Sequence, residues 1–147
     1  FMAQMMYLVL FFNLPMPYSL ILIMVLAAMT EELVKAAGFV GLISHRYPPL
    51  TWKIVVLASL LIGFGFLLGE KLLLFVTISQ IADSIFGAAL FMSLGLLWVP
   101  FLLHSGTVFC TGAVVKIWGK NAFPIGITVA TVMHTIYNLY MLRGWVW

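Results

Sequence analysis

Charge is what this sequence has least of. Asp, Glu, Lys and Arg make up 7% of its 147 residues, against roughly 25% in soluble domains. With 65% hydrophobic residues, a chain this short cannot keep its apolar surface out of water, which excludes an ordinary soluble domain. Cysteine occurs once, at Cys110, so an intramolecular disulfide is excluded, and within an apolar run the residue reads as small core packing. There is no His-Glu-x-x-His, no Gly-x-Ser-x-Gly, no Cys-x-x-Cys and no phosphate-cradling glycine loop. Any catalytic centre must therefore be assembled across separate segments. The net charge of +3 is of the size that membrane-topology signals produce, and no basic-aromatic patch points to nucleic acid.

What the sequence has is long, continuous apolar runs. Lipid offers the backbone no hydrogen bonds, so such runs cross a membrane as helices or closed barrels. These runs do not alternate, which selects helices: an all-α, polytopic transmembrane bundle of about four full spans, forming a single domain over residues 1–147. Residues 1–13 read as the rear half of a truncated span or as a short interfacial helix, without the basic start and cleavage site of a signal peptide. Pro15 and Pro17 interrupt the chain, and main spans are expected at 19–45, 51–77, 84–118 and 123–142. They are separated by Arg46-Tyr47-Pro48-Pro49, by Ser79, Gln80 and Asp83, and by the turn Gly119-Lys120-Asn121. Trp52, Trp118, Trp145 and Trp147 fall near span ends, as interfacial anchors do.

The stretch 84–118 fits either one long helix or two short ones hinged at Pro100. Basic residues favour one, because only then do Arg46, Lys53, Lys116 and Lys120 share a face, with loops 46–53 and 116–121 predicted cytoplasmic. Counted inward from these markers at 1.5 Å per residue, Glu31 lies ~22 Å deep, Glu70 ~25 Å, His104 ~18 Å and His134 ~20 Å. Related chemical groups from four helices thus reach nearly one level.

Each charged group at mid-span costs about 2.5–3.5 kcal/mol, which is sustained when it faces an interior, pairs, or serves a function. In Thr30-Glu31-Glu32-Leu33-Val34-Lys35, the lysine can reach either glutamate along one helix face. One lysine cannot neutralise both. The second carboxylate must take a proton, bind a cation, or pair with a histidine from another helix. Glu70 follows Phe66 by one turn, and Gly63 on the same face lets a second helix come close. Lys71, about 100° around from Glu70, is expected to snorkel rather than pair with it. His104 shares a face with Thr107 and Thr111, and His134 with Thr131 and Asn138.

The ordered set Glu31-Glu32-x-x-Lys35, Phe66-x-x-x-Glu70, an isolated His104 and His134-x-x-x-Asn138 resembles the PrsW family of intramembrane proteases. That family belongs with the CAAX prenyl-protease and bacteriocin-processing superfamily (CPBP/Abi). The resemblance runs from about Ser19 to Leu142. CAAX enzymes usually carry Glu-Glu-x-x-x-Arg and a second-motif histidine; Lys35 and Glu70 point instead to the PrsW branch, and Lys71 stands where a polar amide is common. The resemblance implies a CAAX-protease-like helical core that hydrolyses a peptide bond in or beside the bilayer. One of Glu31 and Glu32 would activate water, while His104 and His134 orient it or stabilise the oxyanion. Glu70 would complete the site, Asn138 would donate to the oxyanion, and Lys35 would hold the spare carboxylate. Zn²⁺ is possible, held by Glu31, Glu70, His104 and His134, although adjacent glutamates suffice for a metal-free mechanism. The partner would be a membrane-embedded or membrane-proximal peptide. The γ-secretase scaffold subunit is distantly related to the same superfamily, which makes an inactive scaffold binding a partner's transmembrane helix the alternative. A proton- or cation-coupled carrier fits less well, since no repeated halves or paired broken helices are present.

Overall fold

The computed structural model describes residues 18–44, 49–81 and 97–146. They form four helices: α1 (Tyr18–Ser44), α2 (Trp52–Ile81), α3 (Trp98–Trp118) and α4 (Phe123–Val146). Among the described residues there is no strand. The expected N-terminal helix at 1–13 and the Arg46 marker lie outside the described residues.

The helix ends follow from local chemistry. Thr51 caps α2: its carbonyl accepts from the Val55 N–H at 3.0 Å, and its hydroxyl accepts from the Ile54 N–H at 3.3 Å. α3 ends at Gly119, whose φ of 85° suits a residue without Cβ and whose N–H returns to the Val115 carbonyl at 2.9 Å. A 3₁₀ turn over Lys120–Ala122 then leads into α4. Pro124 occupies the first turn of α4, where a missing N–H leaves no helical bond unmade.

Of the expected run 84–118, residues 98–118 are helical and Leu97 lies in a turn, while residues 82–96 lie outside the described residues. The Leu97 carbonyl accepts the first helical bond, from the Phe101 N–H at 3.0 Å. Pro100 is therefore in the opening turn of α3, a position that tolerates proline.

α3 touches every other helix, most extensively α2, while α1 packs chiefly on α4. Phe39, Val55, Ala58, Val108 and Val115 form an apolar plug, joined by Leu50, Ile62 and Phe123. The plug gathers the ends of α1 and α3 with the beginnings of α2 and α4. Lys53, Lys116 and Lys120 are exposed around this same end. A close α2–α3 seam runs away from it: Gly63 lies against the Ser105 backbone, leaving no room for a side chain. Trp52 meets Phe109 at one end of the seam and Phe64 meets Phe101 further along.

α2, α3 and the stretch Lys120–Met141 are long and apolar enough to cross a membrane. α1 has 27 residues, about 40 Å of helix, but carries Glu31, Glu32 and Lys35 in its middle. Exposed Leu61, Leu68, Leu72, Leu102, Ile117 and Ile136 on the bundle's outer faces suit lipid contact. These observations describe an integral membrane protein. Cys110 is partly exposed and free.

Candidate functional site

Two helical turns along α1 from Phe39, the apolar packing gives way to charge. Glu31 and Glu32 are about 100° apart around the helix, and that rotation separates their surroundings. The Glu32 side chain is 2% exposed, while that of Glu31 is 29% exposed at the edge of the bundle. Glu32 Oε1 takes two partners: Lys35 Nζ at 2.5 Å and His134 Nδ1 at 2.7 Å. Lys35 thus chooses Glu32, one turn away, although its spacing allowed either glutamate. Its ammonium also donates to Thr107 Oγ1 at 3.4 Å and lies 4.8 Å from the Phe66 ring centroid. Thr107, fully buried, donates in turn to the His104 carbonyl at 3.1 Å. One buried lysine therefore ties α1 to both α2 and α3.

His104 and His134 face each other with ring centroids 5.6 Å apart. His134, from α4, bonds Glu32 through Nδ1 and lies 3.5 Å from Glu31 Oε2 through Nε2. His104, from α3, bonds Glu70 Oε2 through Nε2 at 3.0 Å, while its Nδ1 is buried without a partner. Phe66 packs on the His104 ring at 5.0 Å between centroids. All five expected reacting residues, Glu31, Glu32, Glu70, His104 and His134, thus come together, with Lys35 and Phe66 supporting them. Asn138, one turn beyond His134, is half-buried, and among the described residues its side chain bonds none of the five. Thr131 Oγ1 is buried without a partner.

Lys71 departs from expectation. Its Nζ lies 3.6 Å from Glu70 Oε1. Angular separation along the helix is overridden because the carboxylate is turned aside to meet His104, which presents its second oxygen to the lysine's long stem. Thr107 was visible in the sequence only as a neighbour on the His104 face, and its spacing of three residues was the available signal for a link back to the His104 carbonyl. The contact of Ser105 with Gly63 had no sequence signal beyond the glycine itself.

The group that could hold a metal is narrower than the sequence suggests. One oxygen of Glu31 and one nitrogen each of His104 and His134 lie within 4.8 Å of one another. Glu70 stands behind His104, as Glu32 stands behind His134. Ligands around a tetrahedral zinc are about 3.4 Å apart, so modest side-chain closure would suffice, and carboxylates behind both imidazoles are usual for metal-bound histidines. Donor chemistry and spacing therefore fit a divalent cation.

The hydrogen-bond inventory limits what the centre can take. With Glu32 accepting from His134 Nδ1 and Glu70 from His104 Nε2, a histidine carrying a single ring proton has only a lone pair left. Glu31 is likewise an acceptor when ionised. Three acceptors converge, with no donor among them. Among the described residues, three carboxylates of the cluster face two ammonium groups, Lys35 and Lys71. Such a centre calls for a guest that brings hydrogen-bond donors or positive charge. No protein-family model, curated protein or solved structure matches the chain.

Proposed function

We propose that this chain is an intramembrane peptidase in which Glu31 activates a water held by His104 and His134. The observation that carries the reading is that Glu31, His104 and His134 bring a ligand atom each within 4.8 Å of one another, with His104 Nδ1 buried and unpartnered. A water molecule supplies two protons to such a point, and its oxygen is left facing a substrate. Glu31 is the reacting carboxylate because Glu32 is committed to Lys35 and His134. As the water oxygen bonds to the scissile carbonyl carbon, its proton passes to Glu31 and the carbonyl electrons move to oxygen. The oxyanion electrons then re-form the carbonyl as the C–N bond breaks and Glu31 passes the proton to the amide nitrogen, giving a carboxylic acid and an amine. Asn138, without a partner in the cluster, is the donor for the oxyanion. Were a divalent cation present, Glu31, His104 and His134 would hold it and it would supply Lewis acidity.

On this reading α1 is a fourth span, the bundle is a CAAX-protease-like core, and the substrate is a peptide segment in or beside the bilayer. The end bearing Lys53, Lys116 and Lys120 faces the cytoplasm by the charge bias of membrane proteins; a cysteine placed at residue 145 and labelled only from inside would reverse that. The alternative is an inactive scaffold, favoured by the closure of the Glu32–Lys35–Thr107 network, which needs no reaction to account for it.

A cleavage screen separates the two. Purified protein in lipid is given a library of membrane peptides, read by mass spectrometry, beside a folded Glu31→Gln variant. Products from the wild type and none from the variant are expected. Equal products from both, or a variant that fails to assemble, would oppose Glu31 as the base.

A further inference from the structure

The face of α2 that meets α3 carries Gly63, Phe66 and Glu70 at successive turns, and all three act on one short segment of α3. Gly63 lets the α3 backbone come into contact at Ser105. Phe66 lies against the His104 ring, and Glu70 meets its Nε2. Glu70's remaining oxygen is turned toward Lys71, and its side chain is 38% exposed, whereas that of His104 is 3% exposed. The carboxylate is thus the exposed member of the pair and the imidazole the buried one.

We propose that Glu70 is a positioning residue: it keeps a proton on His104 Nε2, so that the lone pair of Nδ1 is what His104 contributes to the centre. Lys71 Nζ lies 3.6 Å from the other oxygen of the same carboxylate. Phe66 sets the ring plane, and Gly63 sets the distance at which acceptor and ring meet. A carboxylate behind an imidazole fixes both its tautomer and its orientation, and loss of such a partner usually lowers activity 10- to 100-fold. The mirror arrangement exists on the other side, where Glu32 holds His134 Nδ1. The centre is then two imidazoles, each held from behind by its own carboxylate and ammonium: Glu32 with Lys35, and Glu70 with Lys71. Glu31 is the one carboxylate not committed in this way.

The tautomer part of this inference stands on geometry alone; its effect on turnover rests on the peptidase reading. Both are tested with protein labelled with ¹⁵N-histidine in lipid nanodiscs, where the ring N–H of His104 is assigned by its loss in His104→Gln. A far-downfield Nε2–H proton, as expected for donation to a carboxylate, should be present in the wild type. It should shift upfield but persist in Glu70→Gln, whose amide oxygen still accepts, and disappear in Glu70→Leu. Absence of that proton from the wild type, or an unchanged signal in both variants, overturns the proposal. Should Glu70→Leu not fold, the isosteric Glu70→Gln still decides by the upfield shift. In turnover, kcat should fall about 10- to 100-fold in Glu70→Leu with KM nearly constant, and less in Glu70→Gln. Loss in Glu70→Gln as complete as in Glu31→Gln would make Glu70 a reacting group and also overturn the proposal. If the wild type cleaves nothing, the proton signal still decides the role of Glu70, and only the peptidase reading falls.

Discussion

Gly63→Ala is the smallest change that should open the site, and its cost can be worked from the α2–α3 seam. A Cβ at Gly63 would stand 2.7 Å from the Ser105 backbone nitrogen and 2.8 Å from its Cα, against 3.4 Å for ordinary contact. The obstacle is backbone, so no rotamer change relieves it, and α2 and α3 must separate by about 0.6–0.7 Å. Overpacking of this kind costs about 1–3 kcal/mol. Glu70 lies two turns further along the same face, and a shift of that size would stretch its 3.0 Å bond to His104 beyond 3.5 Å. The substitution should therefore lower both stability and turnover without touching a charged group.

Gly65→Ala is the matched control. It lies on the same helix two residues away, and a Cβ there meets nothing within 4 Å. Since alanine is favoured over glycine in a helix by about 0.5–1 kcal/mol, this variant should be as stable as the wild type or slightly more so. Both variants share that gain, so unfolding by titration with denaturing detergent, followed by circular dichroism, should put Gly63→Ala about 1–3 kcal/mol below Gly65→Ala. Equal stability of the two variants would refute the close seam, and with it the account of how Glu70 reaches His104.

The buried pair on α1 should be strongly coupled. Lys35→Met leaves Glu32 in the interior with only His134 and should cost about 3–5 kcal/mol, whereas Lys35→Met with Glu32→Met should recover much of that loss; additive losses in the same unfolding assay would contradict a single linked unit. Turnover is expected to survive exhaustive chelation, because Glu31 alone suffices as base. Stoichiometric zinc in purified protein, lost on His134→Ala, would instead place the water on a metal held by Glu31, His104 and His134.

Much of this arrangement was legible as depth and face. Helix starts follow from Thr51 and Pro124, and counting residues inward from Lys53, Lys116 and Lys120 put Glu70, His104 and His134 at one level. Their contact in the bundle is the consequence. The Lys71–Glu70 pair was missed because helical spacing locates where side chains leave the backbone. It does not show where a histidine on another helix will draw a carboxylate. The roles of Thr107 and Lys35 as links between helices depend on which side of α1 faces α3, and neither composition nor periodicity reports that when a helix is apolar nearly all round.

The adjacency of Glu31 and Glu32 shows how a helix can give two identical side chains different work. Neighbours in sequence are separated by about 100° around the axis. When one points into a bundle, the other must stand at its edge. Lys35, three residues after Glu32, then lies on the inward face with it, and His134 closes the same oxygen from α4. Nothing comparable closes Glu31, whose nearest ring nitrogen is 3.5 Å away. The inward glutamate is thereby consumed in holding the helices and a histidine in place, and the edge glutamate keeps its lone pairs for a guest. A single helix register, not any difference in the residues themselves, divides structural work from chemical work. The same division recurs on α2, where Glu70 is turned to His104 and Lys71, and on the peptidase reading proposed above this leaves the reaction to Glu31.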